Sequence, residues 1–232
     1  MTKALLLDLD DTLYPHHRFV ASGHAAVAAH VALRHGVDAD GAFAFLSRRI
    51  GTPAQATAFQ ALCRRYGLSD STATDLLETY RSHEPLIWLR HGVAEVLQSL
   101  RSGGWTLAVL TNGLPRVQAA KIAALGLGSL VDAVVYAEEH AEGGKPAPAP
   151  FHEALRRLEV AASRAVMVGD DPVRDVQGAR GAGLRTIRFD QPGRRGAMAP
   201  ESAVEADLVI DRVDQLPLAA AALLEGVVSR AA

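Results

Sequence analysis

Short aliphatic runs recur along the chain, each too brief for a helix and bounded by polar or turn residues. Residues 4–9, 107–110, 133–136, 165–168 and 208–210 read as buried strands, with 185–189 as a further one. Between them apolar residues follow helical spacing. Val93, Val96, Leu97 and Leu100 form one stripe, and Phe151, Ala154, Leu155 and Leu158 another. Gly126 after Leu125 and Gly183 after Ala182 stand where helices end on glycine. Strand and helix in alternation predict an α/β fold: a three-layer, doubly wound parallel sheet of Rossmann-like type, with helices on both faces.

One stretch breaks the alternation. From Pro15 to about Leu86 there are only helical stripes: Val20, His24, Val27 and Val31; Phe43, Leu46 and Ile50; Phe59, Leu62, Cys63 and Tyr66; then Leu76 and Tyr80. Pro15 and Pro85 bracket it as breakers. The expected organisation is an α/β core from 1–14 and 87–232, with an all-helical insert at 15–86.

Composition narrows the classes. The chain has 232 residues, 49% of them hydrophobic, enough for a substantial core. A formal charge of −2 gives no basic footprint for nucleic acid. No apolar run approaches the length that spans a membrane, and the first one ends in acids rather than a cleavage site. A single cysteine forms no internal disulfide and fits a reducing compartment, so the expectation is a soluble, cytoplasmic protein. Nothing in the pattern sets an oligomeric state.

In an open parallel sheet, ligands bind beyond the carboxyl ends of the strands. Asp8-Leu9-Asp10-Asp11-Thr12 follows the first strand and Thr111-Asn112-Gly113 the second. Gly144-Lys145-Pro146 lies in the loop after the third, and Gly169-Asp170-Asp171-Pro172-Val173-Arg174-Asp175 follows the fourth. Gathering such carboxylates is costly: two like charges 4 Å apart repel by roughly 4 kcal/mol at an effective dielectric near 20. A cation must offset that, and all-oxygen ligands favour a hard ion, Mg²⁺ above all. Thr111, Asn112 and Lys145 add the donors and positive charge that a phosphoryl group needs. Lys145 stands out because the chain has three lysines against 21 arginines.

These residues, in this order, resemble the haloacid dehalogenase (HAD) superfamily, in its phosphohydrolase branch. The family's DxDxT is matched by Asp8, Asp10 and Thr12, its strand-closing Thr by Thr111, its Lys-Pro by Lys145, and its GDxxxxD by Asp170 and Asp175. The resemblance covers almost the whole chain. It implies that the helical insert is the family's cap of the first type. Only about 33 residues lie between Thr111 and Lys145, too few for the other common cap. It further implies Asp8 as nucleophile, ionised at neutral pH, forming an aspartyl-phosphate, and Asp10 as general acid and then base. Asp10 faces the same way as Asp8 if strand geometry persists. Catalytic Lys145 joins Thr111 and Asn112 in binding phosphate. Asp8, Asp170 and the backbone carbonyl of Asp10 hold Mg²⁺, with Asp175 or Asp171 in support. The Glu142-Gly143-Gly144 approach to Lys145 is more glycine-rich than the family's pattern.

The implied activity is Mg²⁺-dependent hydrolysis of a small phosphate monoester such as a sugar phosphate, 2-phosphoglycolate or a nucleoside monophosphate, with no nucleic-acid or membrane partner. A phosphomutase shares the same catalytic residues. A phosphoacceptor similar to response-regulator receivers shares the acids, Thr and Lys, but is shorter and arranges its acids on different strands. Dehalogenase branches lack the second aspartate present here as Asp10.

Other features read as structure. Gly178-Ala179-Arg180-Gly181-Ala182-Gly183 lies within a helix and reads as close packing and a cap, Cys63 as a core thiol. The pairs Arg48-Arg49, Arg64-Arg65, Arg156-Arg157 and Arg194-Arg195 read as solvated faces, and the histidines lack metal spacing. His16, His17 and Arg18, just after the first motif, are candidates for substrate contact.

Overall fold

The computed structural model describes residues 2–140, 143–190 and 204–225. Its elements, in chain order, are β1 (Lys3–Leu7), α1 (His16–His35), α2 (Ala39–Ser47), α3 (Ala58–Tyr66), α4 (Asp70–Ser82), α5 (Val93–Ser102), β2 (Trp105–Thr111), α6 (Pro115–Ala124), β3 (Ala133–Tyr136), α7 (Pro148–Leu158), β4 (Ala165–Gly169), α8 (Gly178–Gly181), β5 (Arg185–Phe189), β6 (Leu208–Ile210) and α9 (Leu216–Glu225). They fall into two compact units, Met1–Tyr14 with Leu89–Ala232, and Pro15–Trp88.

In the first unit every strand pairing is parallel, in the order β3-β2-β1-β4-β5-β6. The order reverses between β1 and β4, where open parallel sheets form their ligand crevice. Strand residues alternate between two covered faces, which is why the strands read as continuous apolar runs. Ala4 and Leu6 of β1, Ala108 and Leu110 of β2, and Met167 of β4 share one core with Phe151 and Leu155 of α7. Leu5, Leu7, Leu107 and Val109, at the alternate positions, are equally buried. Truncating a fully buried aromatic such as Phe151 to Ala costs about 3–5 kcal/mol.

Two expectations for this unit change. The first strand ends at Leu7, not at residue 9. Leu9 is fully buried, which prolongs the apolar run, but the backbone turns: Leu13 N–H donates to the Leu9 carbonyl at 3.1 Å and Asp11 takes φ 64°. Arg90 fastens this turn, its guanidinium donating to the Asp11 and Thr12 carbonyls at 2.9 and 3.1 Å. The glycine-rich segment after β4 is helical only as far as Gly181, and a π-helical turn, Pro172–Gln177, precedes it. Close packing is its reason for glycine: a Cβ on Gly178 would lie 2.9 Å from the Phe151 ring and the Pro146 Cα.

The second unit packs α1 to α4 around Val27, Val31, Leu46, Leu62, Cys63 and Leu76. The expected Phe43–Leu46–Ile50 stripe is corrected. Helix α2 stops at Ser47, before Ile50, and Phe43 is exposed; Ala42 and Leu46 make its buried face. Cys63 is buried, and that burial raises its thiol pKa, as suits a packing residue. Arg48, Arg64, Arg65, Arg156 and Arg157 are exposed, and Arg49 is half-buried with its guanidinium over the Phe45 ring. Arg194 and Arg195 lie outside the described residues. His16 stacks on Phe19, and Arg18 lies over the Trp88 ring. Among the described residues, no helix is long and apolar enough to cross a membrane.

Candidate active site

Asp8 is the first residue beyond β1, and its N–H donates to the Val168 carbonyl at 2.9 Å. This bond pins it between the ends of β1 and β4, at the reversal of strand order. Its carboxylate accepts from Lys145 Nζ at 2.7 Å (Oδ1) and from Thr12 Oγ1 at 3.1 Å (Oδ2). The buried Lys145 ammonium also donates to Asp175 Oδ1 at 2.6 Å and to the Leu110 carbonyl at 2.9 Å. All three of its donors are thereby used.

The loop that carries Lys145 is held by Asn112. Asn112 Oδ1 accepts from the Lys145 N–H at 2.9 Å, and its Nδ2 donates to the Lys145 carbonyl at 3.0 Å. The side chain expected to grip phosphate is instead engaged with the backbone of Lys145. Gly144 makes room for it, since a Cβ there would fall 2.7 Å from Asn112 Nδ2. Glu142 lies outside the described residues.

Beyond β4, carboxylate oxygens of Asp170, Asp175 and Asp8 come within 4.8 Å of one another. Asp175 is almost wholly buried and accepts from the Asp171 N–H at 3.0 Å. Gly169 is required by this fold-back, because a Cβ would stand 2.2 Å from Asp175 Oδ2. Asp171, the other acid of the motif, is used elsewhere. It caps the π-helical turn, accepting from Val173 N and Arg174 N at 2.9 and 2.8 Å, and pairs with Arg174.

Burial, together with the like charges of Asp175 and Asp170, outweighs the attraction of Lys145 and pushes the Asp8 carboxyl up to about 8. This departs from the ordinary ionised aspartate expected from sequence. Lys145 is raised by its two carboxylate partners. One ammonium does not balance the carboxylates gathered here. Their all-oxygen donor set fits a hard divalent cation such as Mg²⁺, whose charge would restore Asp8 to its ionised form.

Asp10 stands outside that acidic cluster. Its carboxylate accepts from Lys121 Nζ at 2.8 Å (Oδ1) and 2.9 Å (Oδ2), from Gln118 Nε2 at 2.9 Å, and from the Tyr14 hydroxyl. Gln118 Nε2 also donates to Thr111 Oγ1 at 2.5 Å, joining Asp10 to the end of β2. Thr111 in turn donates to the Asn112 carbonyl at 3.3 Å. Tyr14, Gln118 and Lys121 were not anticipated. Buried polar side chains interrupt the apolar stripe of α6, so periodicity passes over them. The scarcity of lysine that singled out Lys145 would have singled out Lys121 equally.

The site thus brings Asp8, Lys145, Asp170 and Asp175 together. It sets Asp10 and Thr111 in an adjoining network, keeps Asn112 behind Lys145, and leaves Asp171 in a cap. Comparison with known proteins gives the family. Residues 2–183 match the family model for haloacid dehalogenase-like hydrolases. A ribulose-1,5-bisphosphate 5-phosphatase from Halopiger xanaduensis is 35% identical, over 93% of this chain and 98% of its own. A glyceraldehyde 3-phosphate phosphatase from Methanopyrus kandleri is 31% identical, over 93% and 96%. Among solved structures, a 2-haloacid dehalogenase from Pseudomonas syringae superposes with a TM-score of 0.65 at 30% identity, over 95% of this chain and 99% of its own. With the family model matched over residues 2–183 and phosphatases among its relatives over nearly full length, the chain is an enzyme of the haloacid dehalogenase-like hydrolase family.

Proposed function

We propose that the protein is a Mg²⁺-dependent phosphatase that cleaves small phosphate monoesters through an aspartyl-phosphate on Asp8. The observation that carries this reading is the division of labour between two aspartates. Asp8 lies with a buried lysine and two further carboxylates, whereas Asp10 is held apart by its own donors. A nucleophile and a separate proton carrier are what ester cleavage needs.

Mg²⁺, held by Asp8, Asp170, Asp175 and the Asp10 backbone carbonyl, would neutralise the acidic cluster and the charge of the phosphoryl oxygens. An Asp8 oxygen attacks phosphorus as the bond to the leaving oxygen breaks, and Asp10 gives that oxygen its proton. Water then attacks the aspartyl-phosphate, Asp10 takes the water's proton, and phosphate and free Asp8 are released. Lys145 orients Asp8 and offers positive charge to the transferring group. Thr111 lines the phosphate site, and Asn112 serves by fixing Lys145.

The phosphatase relatives support small phosphate esters as the substrate class, among them triose phosphates, sugar bisphosphates and 2-phosphoglycolate. Likeness to a haloacid dehalogenase does not displace this, because carbon–halogen cleavage has no use for a proton donor placed as Asp10 is. The helical unit at 15–88 is read as the cap that selects among esters, and the enzyme as cytoplasmic. Phosphate release from a panel of monoesters, with and without Mg²⁺, tests the reading. Metal-dependent release that disappears in Asp8→Asn supports it, and release that persists in that variant contradicts it.

A further inference from the structure

Lys121 and Gln118 are buried side by side on α6, and both end on Asp10. Of the chain's three lysines, the two that are buried each hold one aspartate of the Asp8–Asp10 pair. A buried ammonium is costly to desolvate, and an aliphatic residue at this position would avoid the cost. Its ammonium spans both Asp10 oxygens, while Gln118 and Tyr14 take one each. Turning the carboxyl group would break several bonds, most of them charge-assisted.

We infer that Lys121, helped by Gln118, is the positioning residue that fixes where Asp10 gives and takes its proton during ester cleavage. The inference rests on the reading of Asp10 as proton carrier proposed above. In the first step Asp10, entering in its protonated form, passes that proton to the leaving oxygen as the phosphorus–oxygen bond breaks. In the second, the attacking water's proton passes to Asp10. Lys121 acts through Asp10, the group whose oxygens it holds. Gln118 also ties this clamp to Thr111, so the proton carrier and the phosphate site share one anchor.

The test compares wild type, Lys121→Met, Asp10→Asn and the double variant, each with Mg²⁺, on an alkyl phosphate and on dinitrophenyl phosphate, whose leaving group departs without a proton. Lys121→Met is expected to lower kcat/KM, which reports the step that expels the leaving group, on the alkyl ester by about 10- to 100-fold more than on the dinitrophenyl ester. In the Asp10→Asn background the same substitution is expected to add less than about twofold. Equal losses of kcat/KM on the two esters, or a full multiplicative loss in the double variant, overturn the inference while leaving the phosphatase reading intact. A wild type inactive on every monoester overturns both. If Lys121→Met does not fold, Gln118→Leu carries the same test: a selective loss on the alkyl ester supports the inference, and an equal loss on both overturns it.

Discussion

Asp8, just beyond β1, and Asp175, in the π-helical turn after β4, share a single ammonium: Lys145 Nζ lies 2.7 Å from one carboxylate and 2.6 Å from the other. Both contacts are buried, so removing the cation strands two carboxylates away from water. Lys145→Met is expected to destabilise the fold by about 3–5 kcal/mol in denaturant unfolding. Turnover should fall by roughly 10²–10³-fold, as when a charge-stabilising donor is lost. A variant as stable and as active as wild type would show that the shared ammonium carries no weight.

Gly169 owes its place to Asp175 rather than to backbone conformation. Gly169→Ala places a methyl group where Asp175 Oδ2 now lies, 2.2 Å away. Overpacking of this kind costs about 1–3 kcal/mol. Displacement of Asp175 should also weaken the gain in thermal stability that Mg²⁺ confers, read by calorimetry.

Metal binding itself has a readout independent of turnover. Saturating Mg²⁺ should raise the melting temperature, since a ligand at a hundred times its Kd adds about 2.7 kcal/mol. Asp170→Asn removes one carboxylate of the cluster and should abolish most of that shift, whereas Asp171→Asn, in a cap, should preserve it.

Asn112 is expected to act through Lys145. Asn112→Ala removes both bonds to the Lys145 backbone, a loss of about 1–2 kcal/mol. Turnover should fall with it, because the lysine's loop is released.

His24 sets an acid limit on the helical unit. It is buried beside Phe59 and Tyr80, its Nδ1 has no hydrogen-bond partner, and burial lowers its pKa to about 4. The unfolded chain, with a histidine pKa near 6.5, binds the proton first as pH falls. The neutral ring's contribution is therefore complete above about pH 6.5 and is lost between there and pH 4, on the order of 3 kcal/mol. The melting temperature should fall with acid across this window in wild type and fall less in His24→Leu.

The sheet was legible because strands buried on both faces must be apolar throughout, and runs such as 107–110 leave no other reading. The ends were less so. Leu9 is as buried as Leu7, so hydrophobicity alone cannot mark where β1 stops, and the turn depends on Arg90 from a distant part of the chain. Chemistry at the strand ends was legible for Asp8, Lys145 and Asp170, since unlike polar groups at four strand ends are hard to explain as turns. Which acid of the last motif joins the cluster was not, because the choice between Asp171 and Asp175 is made by the π-helical turn. Lys121 and Gln118 are not legible in the sequence, because polar residues on a helix ordinarily form its solvent face. Here two of them point at Asp10 instead.

The most direct measurement is chemical capture of the intermediate. The enzyme is mixed with Mg²⁺ and a substrate found by the phosphate-release panel, quenched in acid during turnover, reduced with borohydride and mapped by peptide mass spectrometry. Acyl phosphates are reduced by this treatment, so an aspartyl-phosphate on Asp8 converts that residue, and no other aspartate, to homoserine. Turnover with Asp8 unmodified, or with the modification at another residue, would contradict Asp8 as the nucleophile.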